Sequence, residues 1–323
     1  MPIIENSSFR SPWYYGGPHW QTVLPNVTRR RLRISYRRER FELSDGDFVD
    51  VDWVAKPAQA SLARCCLALH GLEGDSQAPY VKALIRSFEG QGYAMGALNL
   101  RGCSGEPNRL KRFYHSGDTL GLAEVVEKVG SRFETVVLVG FSLGGNVVLK
   151  YLGDLGNQAP DSVRAAVAFS VPCDLAGAAE KLAESSNQFY MKRFVRMLCS
   201  KLKEKSRLYP QYEYAEGCAN MKTFHEFDEV YTAPLNGFKG AKDYWARCSS
   251  LHSLDGISRP TLLVNAANDP FLSPACYPRE IARSHSSFHL EVPEWGGHCG
   301  FPRGLLHGGP WHGLRALEFF ESL

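Results

Sequence analysis

Short, uninterrupted apolar runs alternate with amphipathic stretches along most of the chain. Cys65–Leu69, Ala94–Leu100, Thr135–Val139 and Val163–Phe169 are runs without apolar–polar alternation, the pattern of strands buried on both faces. Between them, Tyr80–Gln91, Gly117–Ser131 and Gly144–Leu155 read as helices. In Gly117–Ser131, Leu122, Val125, Val126 and Val129 recur at helical spacing. Strand and helix in alternation predict a mostly parallel central sheet. Upstream, Arg40–Ser44 and Phe48–Val54 flank Asp45-Gly46-Asp47 and predict a β-hairpin within residues 32–54. Residues 9–28, with Phe9, Trp13, Tyr14, Tyr15 and Trp20 among Gly and Pro, read as an irregular aromatic arm packed on the body.

The rhythm breaks after Asp174. Residues 176–257 look helical and irregular. Strands return at Pro260–Ala266 and Ser286–Val292, and a last helix near Leu314–Phe320. The expected division is a core of residues 1–175 and 258–323, with 176–257 as a helical cap insertion. An insertion there lies above the C-terminal edge of the sheet, where open α/β folds bind ligands.

The candidate chemistry falls at that edge. Gly140-Phe141-Ser142-Leu143-Gly144 is Gly-x-Ser-x-Gly between a strand and a helix, the context of a nucleophile elbow. A serine hydroxyl is a poor nucleophile at neutral pH and needs a base. His298, in Gly296-Gly297-His298-Cys299-Gly300 just after the last strand, is the candidate. His289 lies inside that strand, and His307 and His312 flank the final helix as expected surface residues. Asp269, in Asn265–Pro270, is the candidate carboxylate that orients the imidazole, with Asp174 second. The order Ser142, Asp269, His298 matches Ser…Asp…His. Backbone N–H groups of Leu143 and of Leu72, in His70-Gly71-Leu72-Glu73-Gly74, are the expected oxyanion donors. His70 reads as a brace for that loop. His70 and Asp75 also spell the His-x-x-x-x-Asp of some acyltransferases, a weak pattern.

These motifs together resemble the YheT-like branch of the α/β-hydrolases. The resemblance rests on His19–Pro25, His70–Gly74, Asn99–Asn108, Tyr114–Asp118, the 140–145 elbow, Glu226–Asp228, Tyr231–Phe238, Asn268–Phe271 and Gly296–Phe301, and spans residues 9 to 321. It implies an esterase- or lipase-like serine hydrolase acting on carboxylic, often lipid, esters. Where the family often carries two acids, this chain has Asn268-Asp269. An acyltransferase using the same acyl-enzyme and a non-catalytic ligand-binding scaffold are the alternatives. A thiol enzyme using Cys299 or Cys103 is a remote third.

Composition narrows the partners. The formal net charge is +3, which removes a general nucleic-acid binder. That total hides two basic blocks: residues 29–40 and 192–207 each carry seven Lys/Arg against one Glu, and the rest of the chain sums to −9. In the first block Leu32, Ile34 and Tyr36 alternate with arginines as in a half-exposed strand, so its charges are expected to pair with the acidic body. Arg101 is expected to bridge loops. The second block fits an amphipathic basic helix with one buried face, or alternatively a transient contact with an anionic membrane surface. Nine cysteines without a Cys-x-x-Cys pair suggest reduced thiols and a cytoplasmic protein. No cofactor or metal is expected. Neither a signal peptide nor a transmembrane anchor is expected.

Overall fold

The computed structural model describes residues 3–55, 63–211, 214, 217–303 and 310–323. Among these residues nine strands form one sheet: β1 (Ile3–Ile4), β2 (Tyr36–Glu42), β3 (Phe48–Val54), β4 (Arg64–Leu69), β5 (Tyr93–Asn99), β6 (Thr135–Phe141), β7 (Val163–Phe169), β8 (Thr261–Val264) and β9 (Phe288–Glu291). Their order is β1-β9-β8-β7-β6-β4-β5-β3-β2. Among the described residues only β2–β3 and β3–β5 pair antiparallel. The sheet is therefore mostly parallel, as expected, with its hairpin at one edge. The hairpin's first strand begins at Tyr36, earlier than expected.

Helices α1 (Pro18–Thr28), α2 (Pro79–Ser87), α3 (Leu120–Gly130) and α4 (Leu143–Leu155) precede the excursion between β7 and β8. That excursion holds α5 (Leu175–Ala183), α6 (Gln188–Leu208), α7 (Phe224–Phe227), a π-helical turn Asp228–Thr232, α8 (Ala233–Leu235) and α9 (Ala241–Cys248). The chain then adds α10 (Arg279–Ser284) and α11 (Trp311–Glu321). Alternate residues of the central strands feed two cores. Leu67, Leu138 and Ala166 pack on one face with α3 and α4, and Val139, Val167 and Phe169 on the other with α2 and α11. Residues apolar on both sides of a strand gain by burial on both faces, which explains the uninterrupted runs.

Four expectations are corrected. The arm is not irregular throughout: Pro18–Thr28 is helical, with Pro18 at the first turn, where a missing N–H costs nothing. Residues 29–31 form a 3-10 turn, so the strand-like alternation begins to count only at Tyr36. His312 is fully buried, its ring against Phe141 and Phe169; His307 lies outside the described residues. Finally, Cys199 and Cys218 form a disulfide with Cα atoms 5.7 Å apart. Cys199 on α6 and Cys218 in the 3-10 turn Cys218–Asn220 lie within bonding reach, which no sequence spacing announced. The other seven cysteines are free and buried.

The first basic block does meet acids. Arg38 pairs with Asp52, and Arg40 with Asp50 and Glu106. Arg101, 1% exposed, joins Asp45, Asp47 and Asp118. It ties the hairpin turn to the loops after β5 and before α3.

Candidate active site

Ser142 sits between β6 and α4 with φ +52°, a left-handed conformation that a non-glycine residue holds only at a cost of about 1–3 kcal/mol. The glycines around it are obligatory for space. A Cβ on Gly140 would lie 2.5 Å from the Gly145 Cα, and one on Gly144 2.3 Å from the His70 carbonyl oxygen. The α4 N-terminus begins at Leu143 and turns its unpaired N–H groups toward the serine.

His298 and Asp269 come from the loops after β9 and β8. Ser142 Oγ lies 3.0 Å from His298 Nε2, and His298 Nδ1 lies 2.9 Å from Asp269 Oδ2. Because a carboxylate only accepts, Nδ1 carries the proton and Nε2 is left to accept from the serine hydroxyl. The Phe271 N–H also donates to Asp269 Oδ1, and the Phe271 ring lies tilted against the imidazole, their centres 4.1 Å apart. Burial alone lowers the imidazole, but the Asp269 charge beside it prevails and holds His298 above the ordinary histidine value. The second candidate acid, Asp174, instead accepts from Ser273 Oγ.

The predicted donors Leu72 and Leu143 line one cavity with Ser142 and His298. His70 braces the Leu72 loop. Its Nδ1 donates to the Gly71 carbonyl and its Nε2 accepts from the Leu100 N–H, while burial lowers it to about 4. Both nitrogens being occupied, the structure gives no support to His70 as the base of an acyltransferase motif.

The arm supplies residues that the sequence reading did not single out individually. Thr22 Oγ1 accepts from the His298 N–H, and Gln21 Oε1 accepts from the Gly296 N–H and from Asn268 Nδ2. Thus α1 frames the histidine loop. The only sequence signal was the motif His19–Pro25, whose role was not legible.

The cavity measures about 1050 Å³ with its open mouth. Leu182, Phe194, Leu198 and Phe224 from the excursion between β7 and β8 give it apolar walls. Asp228 and His115 add polar points. Burial pushes the Asp228 carboxyl up to about 6, against hydrogen bonds from Thr232 Oγ1 and Trp245 Nε1. Burial lowers His115 to about 4, so the ring is neutral. On α6, Tyr190, Met191, Val195 and Leu202 are buried beneath an outer face of exposed basic residues.

The family model for the alpha/beta hydrolase fold matches residues 67–304. The chain belongs to the α/β-hydrolase family. Within it, the chain is 34% identical to YheT of Escherichia coli (strain K12), over 94% of this chain and 90% of that one. It is 28% identical to the phospholipase ABHD3 of Mus musculus, over 94% of this chain and 75% of the relative. The solved esterase Pf2001 of Pyrococcus furiosus shares the fold with a TM-score of 0.58 at 16% identity, covering 90% of this chain and 93% of that one. This YheT-like member is a carboxylic ester hydrolase of the esterase and lipase type. Among its described residues no helix is long and apolar enough to cross a membrane.

Proposed function

We propose that this hydrolase cleaves its ester in two steps through an acyl-enzyme on Ser142. The observation that carries the reading is the continuous relay from Ser142 Oγ to His298 to Asp269, opening into an apolar cavity. Ser142 Oγ attacks the ester carbonyl as His298 Nε2 takes its proton, and the leaving alcohol receives that proton. Asp269 holds the imidazole tautomer and balances the imidazolium. The N–H groups of Leu72 and Leu143 meet the developing oxyanion, each worth roughly 3 kcal/mol. Water, deprotonated by His298, then releases the acid.

Residues 176–257 act as a cap that selects the acyl chain, since the excursion provides much of the cavity's apolar wall. Ser142→Ala should abolish fluorophosphonate labelling and p-nitrophenyl ester hydrolysis; labelling that persists in this variant would refute the nucleophile. Rates across p-nitrophenyl esters of rising acyl length should pass through an optimum set by the cavity.

Lipid esters reach such a cap most directly from a membrane surface. Lys192, Arg193, Arg196, Lys203 and Arg207 are exposed on α6. Phe189, Trp20 and Trp13 are 68%, 65% and 91% exposed, and Phe189, Tyr190 and His19 form one run of ring contacts linking α6 to the arm. Basic charge beside exposed aromatics suits transient docking on anionic lipid. The chain should co-sediment with phosphatidylglycerol-containing vesicles and not with pure phosphatidylcholine. Equal recovery with both would refute it.

A further inference from the structure

The turn that carries Leu72 holds a residue that its backbone does not favour. Gly74 N–H closes on the Gly71 carbonyl at 3.0 Å, making Leu72 and Glu73 the two central residues. Glu73 has φ +51°. That third turn position is one where glycine is the natural occupant. A glutamate there is strained, so its side chain must return something.

What it meets is specific. The Glu73 N–H donates to Tyr114 Oη at 2.7 Å, and Tyr114 Oη donates to Glu73 Oε1, also at 2.7 Å. Lys201 Nζ, from α6, lies 2.8 Å from the same Oε1. Lys201 also lies 3.0 Å from Cys103 Sγ and 4.8 Å from the centre of the Tyr114 ring. The pair is nearly dry: the Lys201 side chain is 15% exposed and the Glu73 side chain 8%. Lys201 and Lys205, one helical turn apart, face inward while the rest of the basic block faces out. Lys205 is spent on the loop after β5, reaching Asn108 Oδ1 and the Leu110 and Arg112 carbonyls. Of the two, it is Lys201 that reaches the turn beside the serine.

We propose that Lys201 is a positioning residue for the reaction: its ion pair with Glu73 fastens α6 to the 71–74 turn and holds the Leu72 N–H on the oxyanion. The inference rests on the oxyanion role assigned above to Leu72. A lysine in the inserted helices thereby sets a dipole of the core. Removing one partner frees a strained residue to relax out of its left-handed conformation, which loosens the 71–74 turn that carries the Leu72 N–H. The loss falls on the transition state, because the oxyanion forms only there.

The test is a set of variants read by kcat, KM and the rate of fluorophosphonate labelling, which develops the same charge on oxygen. Lys201→Met should lower kcat and the labelling rate in parallel by roughly ten- to a hundredfold, near the loss of one oxyanion donor, with KM changed little. Lys201→Arg should recover most of it. Glu73→Ala, which keeps a Cβ at positive φ without the anchor, should fall further than Glu73→Gly, which adopts that φ freely. Adding Lys201→Met to Glu73→Gly should change nothing more. Unchanged rates in Lys201→Met, a loss confined to KM, or additive losses in the double variant would each overturn the proposal. Should Lys201→Met melt the inserted helices, the order of Glu73→Ala and Glu73→Gly decides. Wild-type protein that neither turns over nor labels would fail the Ser142 reading instead, which separates the two.

Discussion

The backbone N–H of His298 donates to the Thr22 hydroxyl at 2.9 Å, and Thr22 in turn donates to the Pro18 carbonyl within α1. The histidine loop is thus pinned by a residue 276 positions earlier in the chain. Thr22→Val removes the acceptor and leaves a buried N–H unpaired, whereas Thr22→Ser keeps it. Valine should lower kcat/KM by about tenfold and serine far less, in line with the cost of one unmade buried hydrogen bond. Steady-state ester hydrolysis checks it.

A pH profile tests the His298–Asp269 pair. The base must be neutral to accept the serine proton, so activity rises with pH as the imidazole loses its own. With Asp269 holding that group above the usual value, the acid limb of kcat/KM should lie above about 6.5. Asp269→Asn leaves burial as the main influence, so the limb should move to lower pH. Because the tautomer is lost, kcat should fall by about 10³–10⁴.

Asp228 makes a stability prediction of definite sign. Its carboxyl in the folded chain sits near 6 against an ordinary 3.8. A folded value above the unfolded one gives stability that is complete below pH 4 and lost as pH rises through about 6. Asp228→Asn removes that loss. The melting temperature of the variant should therefore gain on wild type between pH 4 and 7, measured by thermal scans at each pH.

Arg101 holds three carboxylates together. Removing it leaves Asp47 and Asp118, both buried, without their counter-charge. Arg101→Met should destabilise by about 3–5 kcal/mol, as breaking a buried pair does, and Arg101→Lys by less. Urea unfolding distinguishes them.

Much of this was legible in the chain. The buried strands announced themselves as unbroken apolar runs because both faces of each are covered. Ser142, Asp269 and His298 stood out because strand ends, glycines and chain order single them out, and the structure brings their side chains within hydrogen-bond reach. What stayed hidden depends on distant segments meeting. The α1 residues Gln21 and Thr22 look like ordinary helix positions until the 296–298 loop lies on them. Lys201 read as one cation among seven, since only its inward direction and its contact with Glu73 set it apart. The Cys199–Cys218 bond follows from how α6 and the 3-10 turn Cys218–Asn220 meet rather than from spacing.

Strand β2 ends the sheet, so among the described residues one side of its backbone has no strand to pair with. Such an edge invites a strand from another molecule. Arg37, Arg38 and Arg40 stand exposed along it, and two of them are locked by Asp52 and Asp50 of the neighbouring strand. An approaching chain would have to lay its backbone among guanidinium groups and strip them of water. The arginine run therefore acts as a fence along the edge, charge being one of the means by which exposed strands resist pairing with another chain.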